Sequence, residues 1–199
     1  MTPDRLPAAL LARRPWTILC AVAVALGLAA CGHKTPHPTV ADANNDGDYI
    51  DAGPVTYQLQ ISRELNQYSS EDSQYVKGLP TGQSASLGPT QEWFGVFLWA
   101  KNQTESAQTT SDNFEVVDTQ GDTYYPLKLD SAVNPFAWTS QTLQPNGTEP
   151  GPNTVANSGP TQGGLLLFKV NDAVYSNRPL TLYILGAHNQ KLGSISLNL

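Results

Sequence analysis

The sequence predicts an all-β fold, an antiparallel sandwich of two sheets with about eight strands and one short N-terminal helix. Three observations carry this prediction. Several short segments from Val55 onward alternate apolar and polar residues with a period of two, as half-buried strands do. Other segments are apolar on both faces, which is typical of strands at the centre of a sheet. Stretches rich in glycine, proline and serine separate these segments, as turns and loops require.

The first predicted elements are a strand, a short helix and the central strand. The stretch VTYQLQIS, residues 55–62, alternates apolar and polar side chains and is predicted as a half-buried strand. Ser70 fits the N-cap of a short helix at about 71–77, because acidic residues follow it, and Gly78 is expected to end that helix. The stretch EWFGVFLWAKN, residues 92–102, is apolar on both faces and is predicted as a central, buried strand.

The remaining strands are predicted in the C-terminal half of the chain. The stretch NFEVVDTQGDTYYPLKL, residues 113–129, contains two strand-like runs around a loop with Gly121, which indicates a hairpin. A shorter run lies near 138–143, and a long loop rich in proline and glycine covers 144–163. The last strands are predicted at 165–170, 180–185 and 192–199.

The first thirty residues have the pattern of an export signal. A basic segment with three arginines precedes an apolar run at 16–30, which is shorter than the about 20 apolar residues that a membrane span needs. The stretch LAACG, residues 28–32, resembles the lipobox of bacterial lipoproteins. The resemblance implies cleavage between Ala30 and Cys31 and attachment of a diacylglyceryl group to the Cys31 thiol. An uncleaved anchor or an ordinary secretory signal is the alternative.

This signal divides the chain into three predicted parts. Residues 1–30 are the lipoprotein signal peptide, 31–54 are the lipidated N-terminus with a flexible acidic tether, and 55–199 are the sandwich domain. Cys20 would leave with the signal, and a lipidated Cys31 would leave no free thiol for a disulfide, a zinc site or a nucleophile. Two or more acyl chains anchor a protein stably. We therefore expect a lipid-anchored protein on the extracytoplasmic side of the cell membrane.

The charge of the mature chain excludes one class of partner. Removal of residues 1–30 takes away three Arg and one Asp, which leaves 169 residues with 8 basic and 16 acidic side chains. The basic side chains are scattered singly along the chain. Because no basic patch is available to neutralise phosphates, we expect no nucleic-acid partner. The acidity also keeps the domain off an anionic lipid surface, so the expected contact with the membrane is the anchor on Cys31.

Three segments of the domain share a family pattern. The sequence FGVFLWAKNQT…FEVVDTQGDTYYPL…GGLLLFKV resembles the immunoglobulin-like domains of unknown function on secreted and lipid-anchored bacterial proteins. The shared features are a central strand ending at Lys101–Asn102, a hairpin at 117–124 and a glycine-led strand at 164–168. The resemblance covers roughly 92–186 and implies an immunoglobulin-like sandwich, without a catalytic residue to transfer. Residues 55–80 are predicted as an N-terminal extension of this domain.

Candidate catalytic and metal-binding residues are few. His188 is the only histidine of the predicted domain, and no Gly-x-Ser-x-Gly motif accompanies it. His33 and His37 stand four residues apart, but Pro36 and Pro38 prevent the helix that would align them. The mature chain has no methionine, which argues against a copper carrier. We therefore expect no enzyme activity and no cofactor.

One stretch nearly forms a calcium-binding loop. DANNDGDYIDAG, residues 42–53, places oxygen-bearing side chains and a glycine at the spacing of an EF-hand loop. The twelfth position is Gly53 rather than the bidentate glutamate, so we interpret the stretch as a spacer whose aspartates repel one another. The weak calcium-ligand candidates are Asp42, Asn44, Asp46 and Asp48.

The stretch NPFAWTS supplies the candidate binding residues. Phe136 and Trp138 lie beside turn residues and could form an exposed platform for a sugar or a peptide, or plug an edge of the sandwich. Together with the predicted anchor, this indicates a non-catalytic binding or accessory module of the cell envelope. We expect it to recognise an envelope protein through sheet edges or the loop at 144–163. An envelope hydrolase with a carboxylate or Ser/His site and a calcium-dependent adhesin are the alternatives.

Overall fold

The computed structural model describes the backbone of residues 42–43 and all of residues 47–197. In chain order the strands are β1 (Asp42–Ala43), β2 (Tyr49–Ala52), β3 (Val55–Leu65), β4 (Gln91–Asn102), β5 (Gln108–Thr109), β6 (Asn113–Val117), β7 (Thr123–Tyr124), β8 (Thr142–Leu143), β9 (Thr148–Glu149), β10 (Gly164–Asn171), β11 (Leu180–Leu185) and β12 (Lys191–Leu197). The helical segments described are α1 (Val155–Ser158) and two 3₁₀ turns, Asp72–Gln74 and Asp172–Tyr175. The predicted all-β class is confirmed.

The strands form two five-stranded sheets and one small ribbon. The first sheet has the order β1-β12-β11-β6-β7, and the second has the order β10-β4-β3-β2 with β9 also paired to β4. Strand β1 runs parallel to β12, whereas the other pairs are antiparallel. Strands β5 and β8 form the ribbon. The long pairing of β3 with β4 contains one register shift between Leu59 and Ile61, so Gln60 is the extra residue of a β-bulge.

The two sheets pack their inner faces against each other. Because side chains alternate across a strand, every second residue of each strand enters this core. The second sheet contributes Ile50, Ala52, Val55, Tyr57, Leu59, Phe94, Val96, Leu98, Ala100, Leu166, Phe168 and Val170. The first sheet contributes Phe114, Val116, Leu180, Leu182, Ile184, Ile195 and Leu197. The arrangement is a β-sandwich with one main core.

Strand β4 is buried on both faces, as its sequence predicts. Phe94 and Leu98 face the main core, whereas Trp93 and Phe97 face a second hydrophobic cluster on the outer side of the sheet. That outer cluster is completed by side chains from connecting segments, among them Tyr75. The connecting segments therefore act as a third layer over the outer face of β4.

The predicted tether needs one correction at its C-terminal end. Residues 49–52, placed within the flexible tether at 31–54, instead form β2 and pair with β3. Ile50 and Ala52 are buried in the main core, so the hydrophobic effect fixes this strand despite its polar neighbours. The backbone of Asp42–Ala43 also pairs, with β12. The rest of the predicted tether lies outside the described residues, as do the predicted signal peptide, Ala30 and Cys31.

The predicted helix at 71–77 is shorter than expected. A single 3₁₀ turn, Asp72–Gln74, takes its place. The Asp72 carboxylate accepts hydrogen bonds from Arg63 Nη2 at 2.6 Å and from the Asn66 backbone N–H at 2.9 Å. These bonds turn Asp72 inward, and the chain then buries Tyr75 against β4, which ends the helical conformation. Gly78 follows with a φ of 70°.

The other connecting segments contain more structure than predicted. The loop at 144–163 includes β9 and α1, and the run near 138–143 yields the short strand β8. The hairpin at 113–129 is present as β6 and β7, although β7 has only two residues. Within the described residues, no helix combines the length and the apolar composition that crossing a membrane requires.

Candidate functional site

Phe136, one of the two predicted binding residues, is buried. Its side chain is 2 % exposed, and its ring lies edge-on to the Tyr75 ring with 4.8 Å between centroids. The Asn134 Oδ1 atom accepts the Phe136 backbone N–H at 3.0 Å. The exposed-platform interpretation is therefore wrong for Phe136, because the outer face of β4 needs an apolar cover and this ring supplies it.

Trp138, the second predicted binding residue, closes one edge of the sandwich. Its ring packs against Phe114 and Tyr57, with centroid distances of 5.6 Å and 6.1 Å. Its Nε1–H donates a hydrogen bond to the Ser111 backbone oxygen at 2.8 Å. A Cβ atom on Gly164 would lie 2.7 Å from Trp138 Cε3, so glycine at that position allows the ring to pack close to β10. The ring is half-buried, and its remaining surface borders a cleft.

This Trp138 cleft has a volume of about 390 Å³, within the range of small-ligand sites. Two connecting segments line it, which we call its walls: residues 126–129 with Ser131, and residues 138–140; Leu165 and Leu166 of β10 also line it. Besides Trp138 and the two leucines of β10, the lining combines apolar, hydroxyl and charged side chains: Asp112, Pro126, Leu127, Lys128, Leu129, Ser131, Thr139 and Ser140. Such a lining can accept an apolar group and can orient the polar groups attached to it.

Both walls of the cleft are held by the free edge of β10. On one side, the Leu127 backbone N–H donates to the Leu167 oxygen at 2.7 Å. On the other side, the Trp138 N–H donates to the Leu165 oxygen at 2.9 Å, and the Leu165 N–H donates to the Phe136 oxygen at 2.7 Å. These bonds fix the two connecting segments relative to the sheet, so the cleft is a preformed feature of the fold.

A second cavity, which we name the Glu149 cavity, has a volume of about 150 Å³. It is lined by Pro135, Ala137, Thr139, Gln141, Glu149, Pro150, Gly151, Thr154, Ala156 and Gly164. The Glu149 side chain is 3 % exposed, and its Oε2 atom accepts a hydrogen bond from Thr110 Oγ1 at 2.6 Å. The Thr139 backbone and the Gln141 side chain also bond to the carboxyl group. Sequence analysis missed this site.

Burial dominates the ionisation of Glu149. Desolvation raises the pKa of Glu149 to about 7, although the bonds from Thr110, Thr139 and Gln141 oppose the shift. Tyr57 lies nearby, and burial raises the pKa of its phenol to about 12, although a hydrogen bond from Ser111 opposes that shift. The Tyr57 hydroxyl oxygen accepts the Ser111 N–H at 2.7 Å. A carboxyl group with a pKa near neutrality is unusual, and such a group beside a cavity indicates a candidate functional site.

One carboxylate pair bears on the hydrolase alternative. Tyr175 Oη donates a hydrogen bond to Glu64 Oε2 at 2.7 Å, and Glu92 also bonds to this hydroxyl. Burial, followed by the charges of Glu64 and Asp172, raises the pKa of Glu92 against the hydrogen bond from Tyr175. In the described part of the chain, these groups line neither the Trp138 cleft, nor the Glu149 cavity, nor a third, shallow depression beside Tyr68.

His188 lies on the exposed turn between β11 and β12. Its backbone N–H donates to Gln190 Oε1 at 3.0 Å. A hydrolytic Ser-His pair requires the imidazole to contact a serine hydroxyl within a cleft, whereas His188 is exposed to solvent on a turn. The structure therefore places this predicted candidate away from both the Trp138 cleft and the Glu149 cavity.

The calcium candidates are described only at Asp48. The Asp48 side chain is exposed, and the preceding residue, Gly47, donates its N–H to the Leu59 oxygen at 2.8 Å. The side chains of Asp42, Asn44 and Asp46 lie outside the described residues. In residues 47–197, no three histidine, cysteine, aspartate or glutamate side chains are grouped to hold a metal ion.

Comparisons with known proteins extend to the fold alone. No protein-family model matches the sequence, and no curated protein is significantly similar to it. The candidate lipoprotein ycdA from Bacillus subtilis aligns with a TM-score of 0.46 and 11% identity, over 78% of this chain and 38% of that one. An uncharacterised β-sandwich protein from Clostridium difficile 630 aligns with a TM-score of 0.40 and 13% identity, over 79% of this chain and 95% of that one. The yjhA protein from Bacillus subtilis aligns with a TM-score of 0.51 and 11% identity, over 78% of this chain and 99% of that one. The chain therefore shares the fold of the yjhA protein.

Proposed function

We propose that the chain is a lipid-anchored, non-catalytic binding module of the cell envelope, built on an immunoglobulin-like sandwich. The observation that carries this proposal is the preformed Trp138 cleft. Its walls are bonded to β10 on both sides, and a half-buried tryptophan ring borders it. A rigid cleft beside an aromatic ring is a common way to anchor a partner side chain.

The lining of the cleft favours a segment of another protein as its occupant. Leu127, Leu129 and Trp138 offer apolar contact, and Asp112 and Lys128 place opposite charges at exposed positions around them. A peptide segment can fill such a site with an apolar side chain and satisfy both charges with its own polar groups. The net charge of −8 that the mature chain would carry disfavours anionic polymers as occupants.

The proposed location rests on the sequence LAACG at 28–32. A lipid on Cys31 would attach the chain to the membrane eleven residues before β1 begins. The domain would then be tethered to the membrane without lying on it, and it would share the envelope with other envelope proteins.

Site-specific photocrosslinking in intact cells tests the proposal. A photoreactive residue at Ser131, in the wall of the cleft, is expected to capture a discrete envelope protein. The same residue at Gln120, an exposed position in the β6–β7 turn, serves as the matched control and is expected to capture none. Reversal of the charge with Lys128→Glu is expected to reduce the yield at Ser131. Equal capture from both positions, or a yield unaffected by Lys128→Glu, contradicts the proposal.

A further inference from the structure

We propose that the Glu149 cavity binds the ammonium group of a small primary amine, with the Glu149 carboxylate as its counterion. This site is separate from the proposed function, since the Glu149 cavity and the Trp138 cleft share only Thr139 in their linings. The inference rests on the burial of the carboxyl group, on the groups around it and on the shape and polarity of the cavity.

The carboxyl group of Glu149 is surrounded by hydrogen-bond donors. Thr110 Oγ1 donates to it, and the Thr139 backbone and the Gln141 side chain also bond to it. A backbone partner of a carboxyl group is an N–H donor, and an ionised carboxylate offers about four acceptor positions. The site is therefore arranged for a carboxylate, and one of its acceptor positions remains for a further donor.

The positive charge that would balance this carboxylate is absent from the described residues. The groups that act on Glu149 are its hydrogen-bond donors, and no lysine or arginine is among them. Arg63 pairs with Glu71 and Asp72, and Lys191 pairs with Glu115, so these two cations are engaged elsewhere. Buried charges in proteins are normally paired. A ligand cation in the adjacent cavity would supply the missing partner.

The cavity fits a short amine in size and in polarity. Cavities of about 150 Å³ can hold a molecule as large as benzene, and this one has a volume of about 150 Å³. Thr139, Gln141 and Thr154 contribute polar groups, whereas Pro135 and Pro150 contribute apolar surface. An ammonium group presents three N–H donors, so it can bond to the carboxylate while a short hydrocarbon tail contacts the prolines.

Other cations fit the cavity less well. A calcium ion requires six to eight oxygen ligands, and Glu149 is the single carboxylate in the lining. A guanidinium group binds a carboxylate best through two parallel hydrogen bonds, but donors of the protein already occupy most of the acceptor positions. The ammonium group needs one free position and therefore matches the site.

The binding should depend on pH in a defined direction. Burial raises the pKa of Glu149 to about 7, so the carboxylate is available at pH 8 and is largely protonated at pH 5. Tyr57 is the other titratable group that acts on this site, and its pKa of about 12 keeps it neutral over this range. Protonation at two pH units below the pKa reduces the ionised fraction about 100-fold, so affinity should fall at least tenfold between pH 8 and pH 5.

Isothermal titration calorimetry of the full chain with ethylammonium chloride tests the proposal. We expect saturable binding of one equivalent at pH 8, at least tenfold weaker binding at pH 5, and no binding of tetramethylammonium, which carries the charge without an N–H donor. Glu149→Gln should abolish binding, and Glu105→Gln, a change of an exposed acid, should preserve it. Absence of ethylammonium binding at pH 8, or equal binding by Glu149→Gln, overturns the proposal.

A second measurement uses the unaltered chain and does not depend on the folding of a variant. The pKa of the Glu149 carboxyl group is followed by ¹³C NMR, with and without ethylammonium chloride. Binding to the carboxylate should lower this pKa, because the cation stabilises the ionised form. A pKa that is unchanged at saturating amine overturns the proposal.

Discussion

Glu149 makes the stability of the fold depend on pH. Its pKa rises from 4.5 in the unfolded chain to about 7 in the folded protein, so the folded state holds the proton more tightly. As pH rises from about 4.5 to 7, the unfolded chain loses this proton first, and the free energy of unfolding falls by up to about 3 kcal/mol. Glu149→Gln should remove most of this fall. Urea unfolding between pH 4.5 and 8 measures it, and an equal pH dependence in both proteins contradicts the assignment.

Gly164 is expected to tolerate no side chain, because Trp138 occupies the space. A Cβ atom there would lie 2.7 Å from Trp138 Cε3, and a ring bonded to Ser111 cannot retreat without losing that bond. We expect Gly164→Ala to lower the free energy of unfolding by about 1–3 kcal/mol and to change the tryptophan fluorescence. Gly151→Ala, with its nearest atom at 3.8 Å, is the matched control. A Gly164→Ala protein as stable as the control contradicts this account.

Single residues also show what the sequence could not predict. Glu149 precedes a proline within a segment rich in proline and glycine, and such a position normally indicates a solvated loop. Its burial comes from the pairing of β9 with β4 and from Thr110, 39 residues away. No local pattern records contacts at that distance. Trp138, by contrast, is a candidate that local sequence indicates, because it is an aromatic residue beside turn residues.

At the scale of elements, the local distribution of apolar residues is sufficient to predict the long strands. Strand β4 is apolar on both faces in the sequence, and both faces are covered in the structure. Strand β2 was missed because its four residues lie in a polar stretch, and only the pairing with β3 reveals that Ile50 and Ala52 are core residues. The sequence predicts a longer helix than the 3₁₀ turn at Asp72–Gln74, because the bond that turns Asp72 inward comes from Arg63, nine residues earlier in β3, outside the local helix pattern.

The outer layer over β4 depends on one buried amide. Asn134 is fully buried, and its Nδ2 group donates to the backbone oxygens of Tyr75 and Lys77, each at 3.0 Å. Asn134→Asp keeps the shape but replaces the Nδ2 group, which carries both N–H donors, with one carboxylate oxygen that faces the two carbonyl groups. We expect a loss of about 3 kcal/mol or more in the free energy of unfolding, measured by urea denaturation.

The control for this prediction is a similar bond at the surface. Asn157 donates its side-chain N–H to the Pro152 oxygen at 3.3 Å in an exposed setting. Because water can replace that bond, Asn157→Asp is expected to change the free energy of unfolding by less than about 0.5 kcal/mol. Equal effects of the two substitutions would show that the outer layer does not depend on the Asn134 amide.

At the scale of the whole molecule, the sandwich supplies rigidity and the connecting segments supply the candidate sites. The two sheets share one main core, and the segments that cross the edge of β10 form both the Trp138 cleft and part of the Glu149 cavity. This division matches the general tendency of loops on a rigid scaffold to carry function. The alternation of apolar and polar residues predicts the strands of the two sheets. It cannot predict the cavities, because they form where segments distant in the sequence meet.

The predicted anchor determines where the whole molecule acts. If Cys31 carries the lipid, then Cys31→Ala should incorporate no labelled palmitate, and any chain from which the signal is still removed should leave the membrane fraction, because the acidic domain has no basic patch to hold it on anionic lipid. Cys20→Ala is the matched control, since Cys20 lies in the apolar run that the signal peptidase would remove. Fractionation with immunoblotting, together with incorporation of labelled palmitate, measures both effects. Labelled palmitate on the Cys31→Ala protein, or loss of label from Cys20→Ala alone, would contradict the lipid anchor.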